Sequence, residues 1–137
     1  MVEQTFIFIK PDGVERGLSE TILQKFTDNN FKILHIKELT LTKEMADIHY
    51  NEHVDKPFYP DLLSFITRGP IIAAIMEKEN AVEEARVLVG ATNPAEAEEG
   101  TIRKEFGKNT GENVIHASDS EKSAESEIQH FFPDYVT

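Results

Sequence analysis

The sequence predicts an α+β fold: a ferredoxin-like sandwich with helices on one face of a four-stranded, mainly antiparallel sheet. Short runs that read as strands recur at Thr5–Ile9, Phe31–Leu41, Ile71–Met76 and Val114–His116. Stretches of helical period separate them and follow the last. The resulting order is β-α-β, helices, β-α-β, helix. No repeat, low-complexity tract or linker divides residues 1–137, which read as one domain.

Each element has its own signals. Thr5-Phe6-Ile7-Phe8-Ile9 is β-branched and aromatic, and Lys10-Pro11-Asp12-Gly13 ends it as a turn. Ser19 is a candidate N-cap for a helix to Asn30, with Ile22, Leu23 and Phe26 on one face. Phe31 to Leu41 alternates apolar and polar residues, with an irregularity near Leu34. Thr42 can cap a helix carrying Met45, Ile48 and His49, and a short helix over Tyr59–Phe65 precedes Gly69-Pro70. Ile71–Met76 is continuously apolar. Asn80 with Glu83 resembles a capping box, and Gly90 closes the helix it would open. Residues 91–111 are mixed, with a short helix near Thr101–Phe106; a connection this long in a compact domain is usually functional or disordered. After Val114-Ile115-His116, Ser118 and Glu121 open a last helix that runs to about Phe131.

Composition narrows the function. The chain is 39% hydrophobic and 28% charged, ordinary for a packed protein. No apolar run approaches the roughly 18 residues of a membrane span, and Met1–Phe6 carries no basic, signal-like segment. There are no cysteines, which excludes disulfides and thiolate chemistry and fits a reducing cytoplasm, the expected location. Fourteen basic against 25 acidic residues give a net charge of −11, a poor footprint for nucleic acid. An anionic substrate would have to meet cations gathered at one place, so the four arginines, Arg16, Arg68, Arg86 and Arg103, become informative.

Several polar residues stand where a core wants apolar ones. Val82, Ala85 and Val89 form a stripe that Arg86 interrupts, so its guanidinium either snorkels at the edge or meets an anion. Ala124, Ile128 and Phe131 form another, with Glu127 between them, a carboxylate that pairs with a lysine at the edge or with His116. His116 ends the last strand, where alternation puts it on one face with Val114 and Ile115 on the other. It is structural or catalytic. Lys10, held extended by Pro11, either reaches past its strand or is a solvated strand-end lysine. Phe58 is a core anchor or a stacking platform.

Taken together these residues form a recognisable set. Asn113-Val-Ile-His116-Ala-Ser118-Asp119-Ser120-Glu-Lys-Ser123-Ala124-Glu-Ser-Glu127 closely resembles the signature of nucleoside diphosphate kinases. The similarity covers essentially the whole chain. It includes Ile9-Lys10-Pro11-Asp12-Gly13-Val14, Pro57-Phe58-Tyr59, Gly90-Ala-Thr92-Asn93-Pro94 and Gly100-Thr101-Ile102-Arg103.

The resemblance implies an ATP:nucleoside diphosphate phosphotransferase. The γ-phosphate of a nucleoside triphosphate passes to His116 and then to a second nucleoside diphosphate, by a ping-pong route with broad base specificity. It implies that Lys10, Arg86, Thr92 and Arg103 hold phosphates and that Phe58 covers the base, with Leu62 beside it and Thr110 opposite. Asn113 and Lys10 contact the sugar hydroxyl, Tyr50 lies against the phosphohistidine, and Ser118 with Glu127 orients the imidazole. Mg²⁺ is carried by the phosphates rather than by direct protein ligands, with Asp119 reaching it through water. A cytoplasmic homo-oligomer follows, a hexamer before a tetramer, with nucleotides as partners and neither membrane nor nucleic acid.

The chemistry agrees. A free imidazole titrates near ~6.5 and is mostly neutral at pH 7, so it can attack phosphorus without a separate base. Phosphoryl transfer needs alignment and cations on the equatorial oxygens. No Gly-x-x-x-x-Gly-Lys-Ser/Thr loop exists, so side chains must hold the phosphates. Four departures from the family pattern bear on affinity: Lys104-Glu105 before Phe106, Thr110 for an apolar residue, Ala117 for glycine, and acidic Glu98-Glu99. The competing readings are a non-catalytic ferredoxin-like nucleotide sensor or scaffold, and a nucleic-acid module on the same kind of sheet.

Overall fold

Phe6, Ile7, Phe8 and Ile9 are all fully buried, as expected only of a central strand covered on both faces. The computed structural model describes residues 2–109 and 112–135. In it β1 (Val2–Ile9) lies inside a four-stranded sheet with β2 (Lys32–Leu39), β3 (Ile71–Glu79) and β4 (Ile115–Ala117). The strand order is β2-β3-β1-β4, and every neighbouring pair is antiparallel. Both crossovers, β1 to β2 and β3 to β4, skip one strand, the split β-α-β arrangement of a ferredoxin-like α+β fold. The expected irregularity in β2 is a register shift between Ile33 and His35.

Helices cover both faces rather than the one expected. Ile7 and Ile9 pack with Ala74, Met76 and Ile115 against α2 (Ser19–Asp28), through Ile22 and Phe26, and α5 (Ala81–Val89), through Ala81, Ala85 and Val89. Phe6 and Phe8 pack with Ala73 and Ile75 on the other face. There they meet α3 (Lys43–His49) at Ala46, α4 (Tyr59–Ile66) at Ile66 and α7 (Glu121–Phe131) at Ile128 and Phe131. The continuous apolar run in β1 was the signal for two covered faces. Each buried side chain of this kind contributes about 1.5–3 kcal/mol, which makes β1 a rigid mount for whatever follows it.

Several local expectations change. The Pro11 turn is a short helix, α1 (Pro11–Glu15), because proline at the first helical position is already set for helical φ. Leu18, not Ser19, stands at the N-cap of α2 and makes no side-chain cap bond. Asn80 takes the left-handed conformation, φ 56°, and does not cap α5; Glu3 Oε1 accepts the Val82 N–H at 2.8 Å instead. The Thr42 cap is present, accepting from the Met45 N–H at 3.1 Å, and Thr101 likewise caps α6 (Ile102–Phe106). Ser120, not Ser118, caps α7. Val114 lies outside β4 with φ 66°, and its buried side chain joins Ile115 in the first core. Val114 and His116 therefore do not share a face.

Candidate active site

The C-terminal end of β1, the start of β4, α3, α5, α6 and α7 converge on a cavity of about 780 Å³. Lys10, Tyr50, Arg86, Thr92, Arg103, Asn113, His116, Asp119 and Glu127 all line it.

Lys10 is 8% exposed, and its Nζ donates to Asn113 Oδ1 at 2.8 Å. The Asn113 amide in turn donates to the Thr92 carbonyl at 2.9 Å, which fixes its flip. Burial pushes the Lys10 ammonium down to about 8; neighbouring Arg103 adds to this and Asp12 opposes it. Arg103 comes from α6 and is also 8% exposed. It donates to the carbonyls of Gly90 at 3.1 Å and Ile115 at 2.7 Å, neutral acceptors that aim the guanidinium without cancelling its charge. Burial, then Arg86, pushes it down to about 10. Arg86 sits at the exposed edge of α5 and donates to the Ala117 carbonyl at 3.3 Å. Three cations that raise one another's energy in one cavity are relieved by a bound polyanion.

His116 lies over Phe8, ring centroids 5.0 Å apart and 28° between planes. Its Nε2 is 2.9 Å from Glu127 Oε1, and the same oxygen accepts from the Ser118 hydroxyl at 2.5 Å. A carboxylate oxygen only accepts, so the imidazole carries a proton on Nε2, and in the neutral tautomer this selects, the lone pair is on Nδ1. Ser118 is fully buried, and its N–H donates to the Phe6 carbonyl at 3.1 Å, so its place is set by the sheet. It belongs to the site and not to a helix cap.

Asp119 Oδ1 accepts from Ser123 Oγ at 2.6 Å, and this bond, with Arg86 nearby, holds its carboxyl below the usual range. Tyr50 stands edge-on to His49 at 4.5 Å. Burial, then Glu127 and Tyr59, pushes its phenol up, so it stays protonated.

Phe58 is 51% exposed at the start of α4 and, like Leu62, is outside the cavity lining; His53, which does line it, lies 5.6 Å from the Phe58 ring. Thr110 lies outside the described residues. Glu105 turns away to pair with Lys25 of α2 at 2.6 Å, so it adds no negative charge to the cavity.

His49 was missed. Its ring meets His116 edge-on at 4.7 Å and also touches Phe8 and Phe131. Burial, with His116, His130 and Lys10 nearby, pushes it down to about 2, so it is neutral at any working pH. The signal was its spacing of three from Ala46, the buried residue of α3, while Ile48 points out, 61% exposed.

Donor atoms of His49, His116 and Glu127 lie within 4.8 Å of one another. Two imidazoles beside three cations suit no oxygen-seeking ion such as Mg²⁺. Asp119 is, with Glu52 and Glu127, one of the carboxylates lining the cavity and lies near Arg86, so it suits a metal that arrives on phosphates. A second cavity, about 550 Å³, shares Arg86 and Asp119 but is lined by Glu3, Glu83 and Glu121, a poor place for an anion.

The family model described as nucleoside diphosphate kinase matches residues 3–136. The chain is similar to the nucleoside diphosphate kinase of Archaeoglobus fulgidus, 50% identical over 133 residues, 97% of this chain and 88% of that protein. It is 48% identical to that of Thermosynechococcus vestitus, covering 96% of this chain and 87% of that one. Among solved structures, the Aquifex aeolicus nucleoside diphosphate kinase superposes with TM-score 0.92 at 39% identity, covering 96% of both chains. The Halobacterium salinarum enzyme in complex with CDP gives 0.94 at 43% identity, covering 98% of this chain and 90% of that one.

Proposed function

Because the chain belongs to the nucleoside diphosphate kinase family, we propose that it passes the γ-phosphate of a nucleoside triphosphate to His116, then to a nucleoside diphosphate. The observation that carries this is the His116–Glu127–Ser118 chain, which leaves the Nδ1 side of the imidazole for phosphorus in a cavity lined by Lys10, Arg86, Arg103 and Lys122.

In the first half-reaction the Nδ1 lone pair forms a bond to the γ-phosphorus while the bond to the bridging oxygen breaks. The diphosphate leaves with that electron pair. The imidazole becomes cationic with its Nε2 proton still held by Glu127. Lys10, Arg86 and Arg103 take up charge on the phosphate oxygens, and the Lys10–Asn113 pair with the Thr92 segment sets the nucleotide's depth. Mg²⁺ carried on the phosphates would be held by Asp119 through water and would neutralise phosphate charge. The second half-reaction is the reverse, with another diphosphate as acceptor. Exposed Phe58 offers a π-face that any base can use, supporting broad specificity.

We read residues 1–137 as one catalytic domain of a cytoplasmic homo-oligomer, a hexamer in first place. Initial rates with two varied nucleotides test the covalent route. Parallel double-reciprocal lines are expected; intersecting lines would reject it.

A further inference from the structure

Val114 is the most strained residue beside the nucleophile. A β-branched side chain at φ 66° is a genuine conformational outlier. The Ile115 N–H bonds to the Asn113 carbonyl at 2.9 Å, closing a three-residue turn of the rare, strained sense. The turn ends the strand pattern, places Val114 and Ile115 in one core and sends His116 to the other face beside Phe8.

The turn is held from β1's end of the sheet. The Lys10 N–H donates to the Val114 carbonyl at 2.8 Å, and the Val114 N–H donates to Asp12 Oδ2 at 3.2 Å. Asp12 is 3% exposed, and its Oδ1 is buried with no hydrogen-bond partner among the described residues. Gly13 lets this segment approach, since a Cβ there would lie 3.2 Å from the Val114 carbonyl and 2.8 Å from Ile9. The first residue of the turn, Asn113, holds Lys10, and the residue that follows the turn is His116.

We propose that Asp12 is a positioning residue: it clamps the strained Asn113–Val114–Ile115 turn, and the turn sets the distance between the Lys10–Asn113 pair and the imidazole. The acidic side chain is buried at a cost for this purpose, because a backbone N–H in a positive-φ turn has no strand partner. The inference rests on the reading of His116 as the phosphate acceptor.

The test compares Asp12→Ala with Asp12→Asn. Both remove the negative charge beside Lys10, but the carboxamide oxygen still accepts the Val114 N–H. Single-turnover phosphorylation by ATP–Mg²⁺ and equilibrium binding of ADP are measured on folded protein. In Asp12→Ala the phosphorylation rate should fall at least about tenfold, the scale of a 1.4 kcal/mol barrier change, while ADP affinity changes little. Asp12→Asn should recover most of the rate. An unchanged rate in Asp12→Ala, or equal losses of rate and affinity, overturns the proposal. So does an Asp12→Asn variant that folds, binds ADP and phosphorylates slowly, which decides the matter even if Asp12→Ala does not fold. Wild-type protein that never becomes phosphorylated on His116 would instead remove the reading beneath it.

Discussion

Replacing Glu127 with glutamine removes one charge and keeps the shape. The Glu127 carboxylate lies 2.9 Å from His116 Nε2, and the imidazole gains positive charge when Nδ1 attacks. Unit charges about 3 Å apart interact by about 6 kcal/mol at an effective dielectric of 20, which is the ceiling. The two side chains are 17% and 22% exposed, so solvent screens part of this. A hydrogen bond to a charged group is worth about 1.5–3 kcal/mol net, which is the loss expected here. Phosphorylation of His116 should therefore slow by about 10- to 150-fold. Nucleotide affinity should hold, because Glu127 faces the imidazole and not the phosphates. Quenched-flow labelling with γ-phosphate, alongside ADP binding, separates the two quantities. A rate within about twofold of wild type, or a loss confined to binding, would refute the assigned role. Ser118→Ala should cost less, about 1 kcal/mol, because it removes a support of the carboxylate and leaves the charge.

Lys10 loses its charge as pH rises through about 8, so kcat/KM should fall above that pH while kcat at saturating nucleotide stays flatter, which a pH–rate profile reads directly. Arg86→Ala and Arg103→Ala should each lower kcat/KM by roughly 10²-fold or more in steady-state assays. Arg16→Ala and Arg68→Ala should cost far less: Arg16 bonds the Phe106 carbonyl, and Arg68 pairs at the surface with Glu15, at about 0–1 kcal/mol of stability. Gly90 sits at φ 92°, and a Cβ would lie 2.6 Å from Thr101 Oγ1, so Gly90→Ala should destabilise the fold by about 1–3 kcal/mol, seen as a lower melting temperature.

The fold class and most element positions were legible because β1 and β3 each contain an unbroken apolar run, Phe6–Ile9 and Ile71–Met76, and the helices carry buried residues at regular spacing. The site was legible where a polar side chain broke such a pattern, as Arg86 and Glu127 do. Three features escaped for definite reasons. Val114 breaks the alternation of faces through its backbone, which its β-branched side chain argues against. Ser118 looked like a cap because hydroxyls suit helix starts, yet its N–H donates to the Phe6 carbonyl and its hydroxyl donates to Glu127. His49 passed as an ordinary helical residue, since apart from adjacent Tyr50 its ring partners Phe8, His116 and Phe131 come from three distant stretches of chain.

The most direct test is whether His116 becomes phosphorylated and gives the phosphate up. Purified protein mixed with γ-labelled ATP and Mg²⁺ should carry an acid-labile, alkali-stable label. That label should move to an added, unrelated nucleoside diphosphate and be absent from His116→Ala, which should still fold and bind nucleotide. Label that persists in His116→Ala, or wild-type protein that binds nucleotide and never takes label, contradicts the account.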